Sequence, residues 1–297
     1  MSTNHPIFVH RISGQEAETD QAAGSEIFPY WSFTKTAISI CALRLVQEDR
    51  IDLDAPLPGY DVTLRQVLTH TSGLPDYISL PDYREAVARD ETPWPAEHLR
   101  EVTMAQGRRF APGTGWAYSN LGYMLARDFI EDAAQQPFAD LVRQMISDPL
   151  ELHSVKVAKT REDFACLHWE GAKRYHPGWV YHGCLTGTAA DAARILHALF
   201  EGRLLSAAML AEMLIRHPLG GAIAGRPWLD CGYALGLMSG RCKDAGRAIG
   251  HSGGGPFSVN AVYHFPDLDR PVTVASFTDG SDDGIAEFAA VEAALRD

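Results

Sequence analysis

The chain has 297 residues, 46% of them hydrophobic and 22% charged, and carries a formal net charge of −12 at pH 7. This composition is typical of a globular protein with a substantial apolar core, built as one large domain or two modest ones. The acidic excess argues against nucleic-acid binding, which needs clustered cations, and no apolar run is long enough to cross a membrane.

The cysteines and the first residues indicate the compartment. The five cysteines are spread out and form no CxxC pair, which fits reduced thiols and argues against a disulfide framework or a zinc site. No basic segment followed by an apolar run occurs at the start, so we expect no export signal and a cytoplasmic protein. We expect neither a metal nor a cofactor, because the sequence shows no ligand spacing for one.

The first part of the chain predicts a strand followed by a helix. Residues 7–12 form a strand-like apolar run, and residues 27–28 begin a second, shorter one. From Ser32 onward apolar residues recur at helical spacing, at Ile38, Cys41, Ala42, Leu45 and Val46. The region 61–215 predicts mainly helices and long loops.

The clearest helix of the middle region follows Thr188, with Asp191 three residues on as a capping partner and Gly202 just past the end. The last part of the chain predicts strands instead. They span residues 233–239, 260–265 and 272–278, with a Pro-Asp-rich turn between the last two and a closing helix over 283–296.

Strands at both chain ends with helices between them predict an α+β fold, in which one antiparallel sheet is built from both termini, is flanked by helices and carries an inserted helical lobe. We expect a single catalytic unit over residues 1–297. Its α/β lobe would comprise about 1–60 plus 216–297, and its helical lobe about 61–215. A cleft between two such lobes is a natural place for a site.

The first chemical motif is Ser32-Phe33-Thr34-Lys35. If Ser32 opens the helix, Lys35 lies one turn later on the same face, where its amine can reach the serine hydroxyl. A serine hydroxyl needs a nearby proton acceptor to act as a nucleophile, and a helix start offers free N–H groups to a developing negative charge. The spacing alone is weak evidence, because serine and lysine often fall three residues apart by chance.

The second motif is Tyr118-Ser119-Asn120. A phenol held beside a lysine can exchange protons with it, and an asparagine can orient a substrate amide. In isolation, the simpler interpretation is a turn after Pro112-Gly113 with Tyr118 as a half-buried aromatic.

The third motif is His251-Ser252-Gly253, followed by two more glycines. A glycine-rich strand edge lets a substrate backbone approach closely. Residues 250–254 also fit the G-x-S-x-G nucleophile elbow of α/β-hydrolases. That fold needs an acid and a histidine on further βα units, and the 45 residues after Ser252 leave no room for them.

Two other stretches invite a metal hypothesis and do not support it. Residues 279–284 begin like a calcium-binding EF-hand loop, but Ala290 stands where that loop needs a bidentate glutamate, so we expect a solvated turn. The Trp and His residues between His168 and His182 show no metal spacing, and we interpret them as packing around a loop, with a location near the cleft as the open alternative.

Taken with their surroundings, the three motifs resemble the class C β-lactamase and penicillin-binding-protein superfamily of active-site serine hydrolases. Residues 68–75 look like the family's segment after its first helix, and residues 110–123 match the approach to its second motif. Residues 187–191 and 202–206 look like its later helical region. The order and spacing are the family's from about residue 27 to the end of the chain.

This resemblance implies a role for each motif residue. It places the nucleophile at Ser32, with Lys35 and Tyr118 handling its proton. It places substrate-binding positions at Asn120, His251, Ser252 and Gly253, and an oxyanion hole at the backbone N–H groups of Ser32 and Gly254. Losing one oxyanion donor typically costs about 10² to 10³ in kcat.

Two departures from the family pattern bear on the substrate. Trp31 stands where a small residue usually precedes the serine, which narrows the expected pocket. His251 replaces the lysine of true class C β-lactamases, as in esterase-like and peptidase-like members. A histidine with a pKa of about 6.5 is mostly neutral at neutral pH, so we expect neutral substrates to be preferred, and this preference to weaken as pH falls through about 6.

We therefore expect a serine hydrolase that acts through an acyl-enzyme on an ester, amide or D-amino-acid peptide. The alternatives are a β-lactamase or DD-carboxypeptidase proper and, from another class, a non-catalytic penicillin- or peptide-binding or sensing domain. The expected partner is a small-molecule or short-peptide substrate, with no nucleic acid and no membrane.

Overall fold

The computed structural model describes residues 5–14, 16–19 and 24–296. Its strands are β1 Ile7–Ser13, β2 Glu16–Thr19, β3 Phe28–Pro29, β4 Lys156–Ala158, β5 Cys184–Gly187, β6 His217–Gly221, β7 Trp228–Tyr233, β8 Met238–Cys242, β9 Gly246–Gly254, β10 Ser258–Phe265 and β11 Val272–Asp279. Its helices are α1 Thr34–Gln47, α2 Leu64–Leu68, α3 Pro81–Ala88, α4 Ala96–Met104, α5 Asn120–Ala134, α6 Phe138–Val142, α7 Asp148–Leu150, α8 Arg161–Ala165, α9 Ala189–Phe200, α10 Ala207–Met213 and α11 Asp283–Ala294. None of these helices is long and apolar enough to span a bilayer.

Strands from both ends of the chain form one antiparallel sheet. Its order across the described strands is β2-β1-β11-β10-β9-β8-β7-β6, and β3, β5 and β4 form a separate small sheet. The first strand pairs with the last, with Ile7 opposite Thr278 and Ser13 opposite Val272. The predicted α+β architecture with a terminal-strand sheet is therefore confirmed.

Helices cover both faces of the large sheet. Side chains alternate along β1, so Phe8 joins the core cluster that includes α1 and α9, while Val9 joins the cluster beneath α11. The N-cap of α9 is as predicted, since the Thr188 side chain accepts a hydrogen bond from the N–H of Asp191. However, α9 packs on β1, β10 and β11. α9 therefore contacts the sheet although it lies within the predicted helical lobe, and the lobe boundaries stay a prediction.

The predicted strand over 233–239 is wrong. β7 ends at Tyr233 and β8 begins at Met238, and the intervening apolar residues form a buried hairpin turn closed by a hydrogen bond from Ala234 N to Leu237 O at 2.8 Å. Gly236 adopts a φ of 72°, and a Cβ there would lie 2.2 Å from Ser39 Oγ on α1. The apolar run is therefore a turn packed on a helix, which a strand pattern does not distinguish.

The segment that begins like a calcium loop is the turn between β11 and α11, as expected. The side chain of Asp282 accepts a hydrogen bond from Gly284 N and caps α11. The Asp282 carboxylate therefore serves as the N-cap of α11.

A buried carboxylate ties α11 to the sheet. Glu287 on α11 is 1% exposed and accepts hydrogen bonds from Arg226, from the indole of Trp228 and from the hydroxyl of Ser252. Removing one partner from such a network leaves the others buried and unpaired, which costs far more than a surface pair.

We predict that Glu287→Ala lowers the free energy of unfolding by about 3–5 kcal/mol. The matched control is Glu292→Ala, the same change at an exposed position of the same helix, for which we expect less than about 0.5 kcal/mol. Urea denaturation of both variants measures the difference. Equal and small losses would show that the Glu287 network contributes little.

Candidate active site

The candidate nucleophile lies in a turn that is held from two sides. Tyr30 N–H donates to Leu185 O of β5 at 2.7 Å, and Leu185 N–H donates to Thr34 Oγ1 at 2.9 Å. Between them, Trp31 adopts a φ of 44°, in the left-handed region that side chains rarely occupy. These contacts fix Ser32 in the 3-10 turn Trp31–Phe33, directly before α1, where it remains partly exposed.

Ser32 is contacted by both residues predicted to handle its proton. Lys35 Nζ donates to Ser32 Oγ at 3.0 Å, and the Tyr118 hydroxyl donates to the same oxygen at 2.9 Å. The Lys35 amine also lies 4.9 Å from the centre of the Tyr118 ring. The structure therefore brings Tyr118 to the Ser32–Lys35 pair, although Tyr118 lies 86 residues after Ser32 in the sequence.

Burial determines the protonation states of Lys35 and Tyr118. Lys35 is 0% exposed, and burial lowers its pKa from 10.5 to about 7, although the carboxylate of Asp76 opposes this shift. Burial instead raises the pKa of Tyr118 well above its ordinary value. Lys35 is thus the group that changes charge near neutral pH, and Tyr118 stays a neutral phenol that donates to Ser32.

Asn120 and Asp76 hold the lysine from behind. Lys35 Nζ donates to Asn120 Oδ1 at 2.8 Å, while Asn120 Nδ2 donates to both carboxylate oxygens of Asp76, at 3.1 and 3.2 Å. The expected substrate-orienting asparagine therefore directs its amide oxygen to the lysine, although it also lines the pocket beside Ser32. Asp76 was missed in the sequence because it follows the family-like segment without a motif of its own.

A second residue missed in the sequence is His182. The sequence favours packing around a loop for this residue, whereas its Nε2 lies 3.2 Å from Lys35 Nζ and it lines the same pocket as Ser32. Burial, followed by the charge of Lys35, holds the pKa of His182 well below its ordinary value. No sequence spacing indicates this contact, because the two residues are 147 positions apart.

His251 differs from expectation in its charge and its contacts. It is 1% exposed, its Nδ1 donates to Ser252 O at 2.5 Å, and its Nε2 accepts from the Tyr233 hydroxyl at 2.8 Å. Burial, then the charge of Lys35, lowers its pKa from 6.5 to about 3. The expectation that His251 gains a proton near pH 6 is therefore wrong, and neither ring nitrogen is free to bind a substrate.

The side chain of Ser252 also does not face the cleft. Its hydroxyl donates to Glu287 at 2.5 Å and contacts the Tyr263 hydroxyl at 2.7 Å, in the layer beneath α11. The side chains of successive strand residues point to opposite faces of the sheet, so those of Ser252 and His251 lie on opposite faces of β9. Direct substrate binding by this side chain, and the nucleophile-elbow alternative, are both contradicted.

The glycines after Ser252 bring β9 against the nucleophile turn. A Cβ on Gly253 would lie 2.7 Å from Tyr30 O and 2.9 Å from Ser32 N, so Gly253 serves close approach of the two backbones. A Cβ on Gly255 would collide with the Trp31 indole. Gly254 lies between them, exposed to the pocket beside Ser32.

The pocket at Ser32 is a cavity of about 400 Å³ lined by several aromatic side chains and by one carboxylate. Its lining includes Trp31, Tyr77, Tyr83, Tyr175, Trp179 and the carboxylate Asp283, and no Lys or Arg among the described residues. Arg226 lies 3.7 Å from Asp283 and also pairs with Glu287. One guanidinium thus faces two carboxyl groups.

The sequence and the fold are similar to those of known proteins. The chain matches the family described as Beta-lactamase over residues 7–295. It is 26% identical to penicillin-binding protein 4* of Bacillus subtilis, covering 97% of this chain and 69% of that protein. It is also 30% identical to the esterase EstB of Burkholderia gladioli, over 49% of this chain and 42% of that protein.

Solved structures extend the likeness. A D-stereospecific amidohydrolase from Streptomyces superposes with a TM-score of 0.79 at 26% identity, covering 97% of this chain and 92% of that one. The D-amino acid amidase of Ochrobactrum anthropi, in complex with D-phenylalanine, superposes with a TM-score of 0.80 at 22% identity, covering 97% and 93%. The match over nearly the whole chain shows that the protein belongs to the Beta-lactamase family, within the superfamily of active-site serine hydrolases.

Proposed function

We propose that this protein hydrolyses a small ester, amide or D-amino-acid peptide through an acyl-enzyme on Ser32. One observation carries the proposal. A buried lysine with a pKa of about 7 lies 3.0 Å from the hydroxyl of a partly exposed serine that lines a pocket. Such a pair supplies both a nucleophile and its base near neutral pH.

Acylation follows from this geometry. The neutral amine of Lys35 takes the proton of Ser32 as Oγ attacks the carbonyl carbon of the substrate. The carbonyl electron pair moves to its oxygen. When it returns, the bond between the carbonyl carbon and the leaving group breaks, and the leaving group takes the proton from Lys35, directly or through the Tyr118 hydroxyl. In deacylation, water gives a proton to Lys35 as its oxygen attacks the acyl carbon, the bond between that carbon and Ser32 Oγ breaks, and Oγ takes the proton back from Lys35.

The charge on the carbonyl oxygen needs donors beside Ser32. We assign them to the N–H groups of Ser32 and Gly254. The contact between Gly253 and the Ser32 backbone puts the end of β9 next to the serine. Gly255 is not available, because its N–H donates to Ser258 O at 3.0 Å.

The pocket favours neutral or amine-bearing substrates with an apolar group. Aromatic walls suit an apolar side chain, whereas Asp283 and the absence of a lining cation among the described residues disfavour a carboxylate. This supports an esterase-like or peptidase-like enzyme over a class C β-lactamase or a DD-carboxypeptidase, whose substrates carry a carboxylate. The amidase and esterase relatives are consistent with this choice.

A non-catalytic binding domain is the alternative from another class. Against it stands the cost of burying Lys35, because a pocket that only binds has no need for a lysine at its nucleophile. A covalent probe separates the two functions.

We predict that an activated acyl phosphonate adds one adduct to the wild-type protein and that Ser32→Ala abolishes the adduct and nearly all ester turnover. The matched control is Ser252→Ala, the same change at the neighbouring motif serine, which faces Glu287. It should keep the labelling. Intact-mass spectrometry with peptide mapping reads the result, and labelling that survives Ser32→Ala would reject the proposed nucleophile.

The rate should rise with pH as Lys35 loses its proton. The folded pKa of about 7 means that the base is mostly charged below this value and mostly neutral above it. We predict that kcat/KM for a neutral ester increases through an apparent pKa near 7 and then levels off. Asp76→Asn should move this midpoint lower, because the Asp76 carboxylate raises the pKa of Lys35. A profile that is flat from about pH 6 to about 9 would contradict the assignment of the base.

We expect Asp283 to set the preference between neutral and anionic substrates. For a matched pair of esters that differ by one carboxylate, we predict a preference for the neutral member. Asp283→Asn should raise kcat/KM for the anionic member by about 5- to 30-fold relative to the neutral one, the scale of one screened charge at about 8 Å. Asp282→Asn is the control, because asparagine also caps a helix and position 282 does not line the pocket. An unchanged ratio in Asp283→Asn would remove this residue as the selector.

A further inference from the structure

Among the residues that the structure describes, Lys35 Nζ has three hydrogen-bond partners, and they determine where its lone pair points. The partners are Ser32 Oγ at 3.0 Å, Asn120 Oδ1 at 2.8 Å and His182 Nε2 at 3.2 Å. An ammonium uses three N–H groups, one for each partner. A neutral amine has two N–H groups and one lone pair, so it can accept the serine proton only if its N–H groups point at the other two partners.

The partner on α5 can only accept. Asn120 Nδ2 donates to both oxygens of Asp76, which leaves Oδ1 turned to the lysine. The backbone N–H of Asn120 donates to the same carboxylate at 3.1 Å, so the side chain is held at both ends. The orientation of this amide is therefore set by Asp76.

The partner on the other side, His182, is neutral and accepts as well. It is 3% exposed, and a protonated ring would place a second cation 3.2 Å from the lysine. When Lys35 is an ammonium, it can donate to His182 Nε2 only if that nitrogen carries no hydrogen. The single ring hydrogen of the neutral His182 therefore lies on Nδ1. Nδ1 is buried without a hydrogen-bond partner among the described residues. An unpaired buried N–H is costly, and a residue retained at such a cost calls for an explanation.

The position of His182 is tied to the nucleophile turn. It lies two residues before β5, the strand that bonds to Tyr30 and Thr34 on either side of Ser32. The lysine, the serine and the imidazole are thus supported by one set of backbone contacts.

We propose that His182 is a positioning residue that, with Asn120, takes up the two N–H groups of the neutral Lys35 amine and thereby turns its lone pair toward the Ser32 hydroxyl. This inference rests on the proposed hydrolase function. In the step, Ser32 Oγ–H gives its proton to Lys35 Nζ as Oγ bonds to the carbonyl carbon, and the new ammonium then donates to all three partners.

Several groups surround this pair and enter its pH behaviour. Asp76 raises the pKa of Lys35, and Arg127 and the neighbouring rings act on His182. The groups that face the pair are Asp76, Cys184, Tyr118, Tyr123, His70, His251 and Arg127. Only variants that leave these groups in place can assign an effect to His182.

The kinetic test compares two substitutions. His182→Leu removes the acceptor, and we expect kcat for a neutral ester to fall by about 10- to 100-fold with little change in KM, the scale of a misoriented catalytic group. The midpoint of the kcat/KM profile should fall below that of the wild type, because the ammonium loses an acceptor. His182→Gln offers an amide oxygen in place of Nε2 and should restore most of kcat. His153→Leu, the same change at an exposed position, should match the wild type.

A direct test needs no turnover. In protein labelled with ¹⁵N at histidine, His182 should show a protonated Nδ1 and an unprotonated Nε2 on both sides of the Lys35 titration. The Nε2 resonance should move as Lys35 titrates, also in Ser32→Ala, which separates this test from the nucleophile assignment. A protonated Nε2 above the Lys35 midpoint would overturn the proposal, as would a His182→Leu variant with wild-type kcat and pH midpoint. Activity that survives Ser32→Ala would instead reject the hydrolase mechanism.

Discussion

The burial of one amine, that of Lys35, is the constraint on which the site depends. A lysine in water is charged at neutral pH and useless as a base, whereas burial lowers its pKa to about 7. The same burial destabilises the fold. The unfolded chain holds this proton up to a pKa of 10.5, so the penalty is full below about pH 7 and is relieved as pH rises toward 10.5.

The rest of the architecture serves to keep that amine buried and aligned. α1 is buried along almost its whole length, which places Lys35 inside the protein one turn below Ser32. Two strands contact the nucleophile turn. β5 forms hydrogen bonds to it, and β9 packs closely against it at Gly253. Glu287 anchors β9 from the opposite face through Ser252. The His251-Ser252-Gly253 motif, which the sequence assigns to substrate binding, thus also holds β9 in place through Ser252.

The sequence was informative where local spacing carries the chemistry. The one-turn separation of Ser32 and Lys35 predicts their contact, and the strands at both chain ends predict the sheet. It was uninformative where folding joins distant segments, as for His182 and Asp76, which have no local pattern. It misled where burial changes a residue's character. The sequence suggests an ordinary pKa for His251, but both of its ring nitrogens are hydrogen-bonded, one to Tyr233 and one to a backbone carbonyl. The apolar run after Tyr233 suggests a strand, but it forms a turn packed on α1.

The most direct test of this account is the titration of Lys35 itself. The chain has five lysines, so protein labelled with ¹³C at lysine Cε should give five resolvable signals, with Lys35 identified by its loss in Lys35→Arg. We predict that Lys35 titrates with a midpoint near 7, well below the ordinary lysine value of about 10.4. A Lys35 midpoint near that ordinary value would contradict the account, because the amine would then be charged at neutral pH and could not take the proton of Ser32.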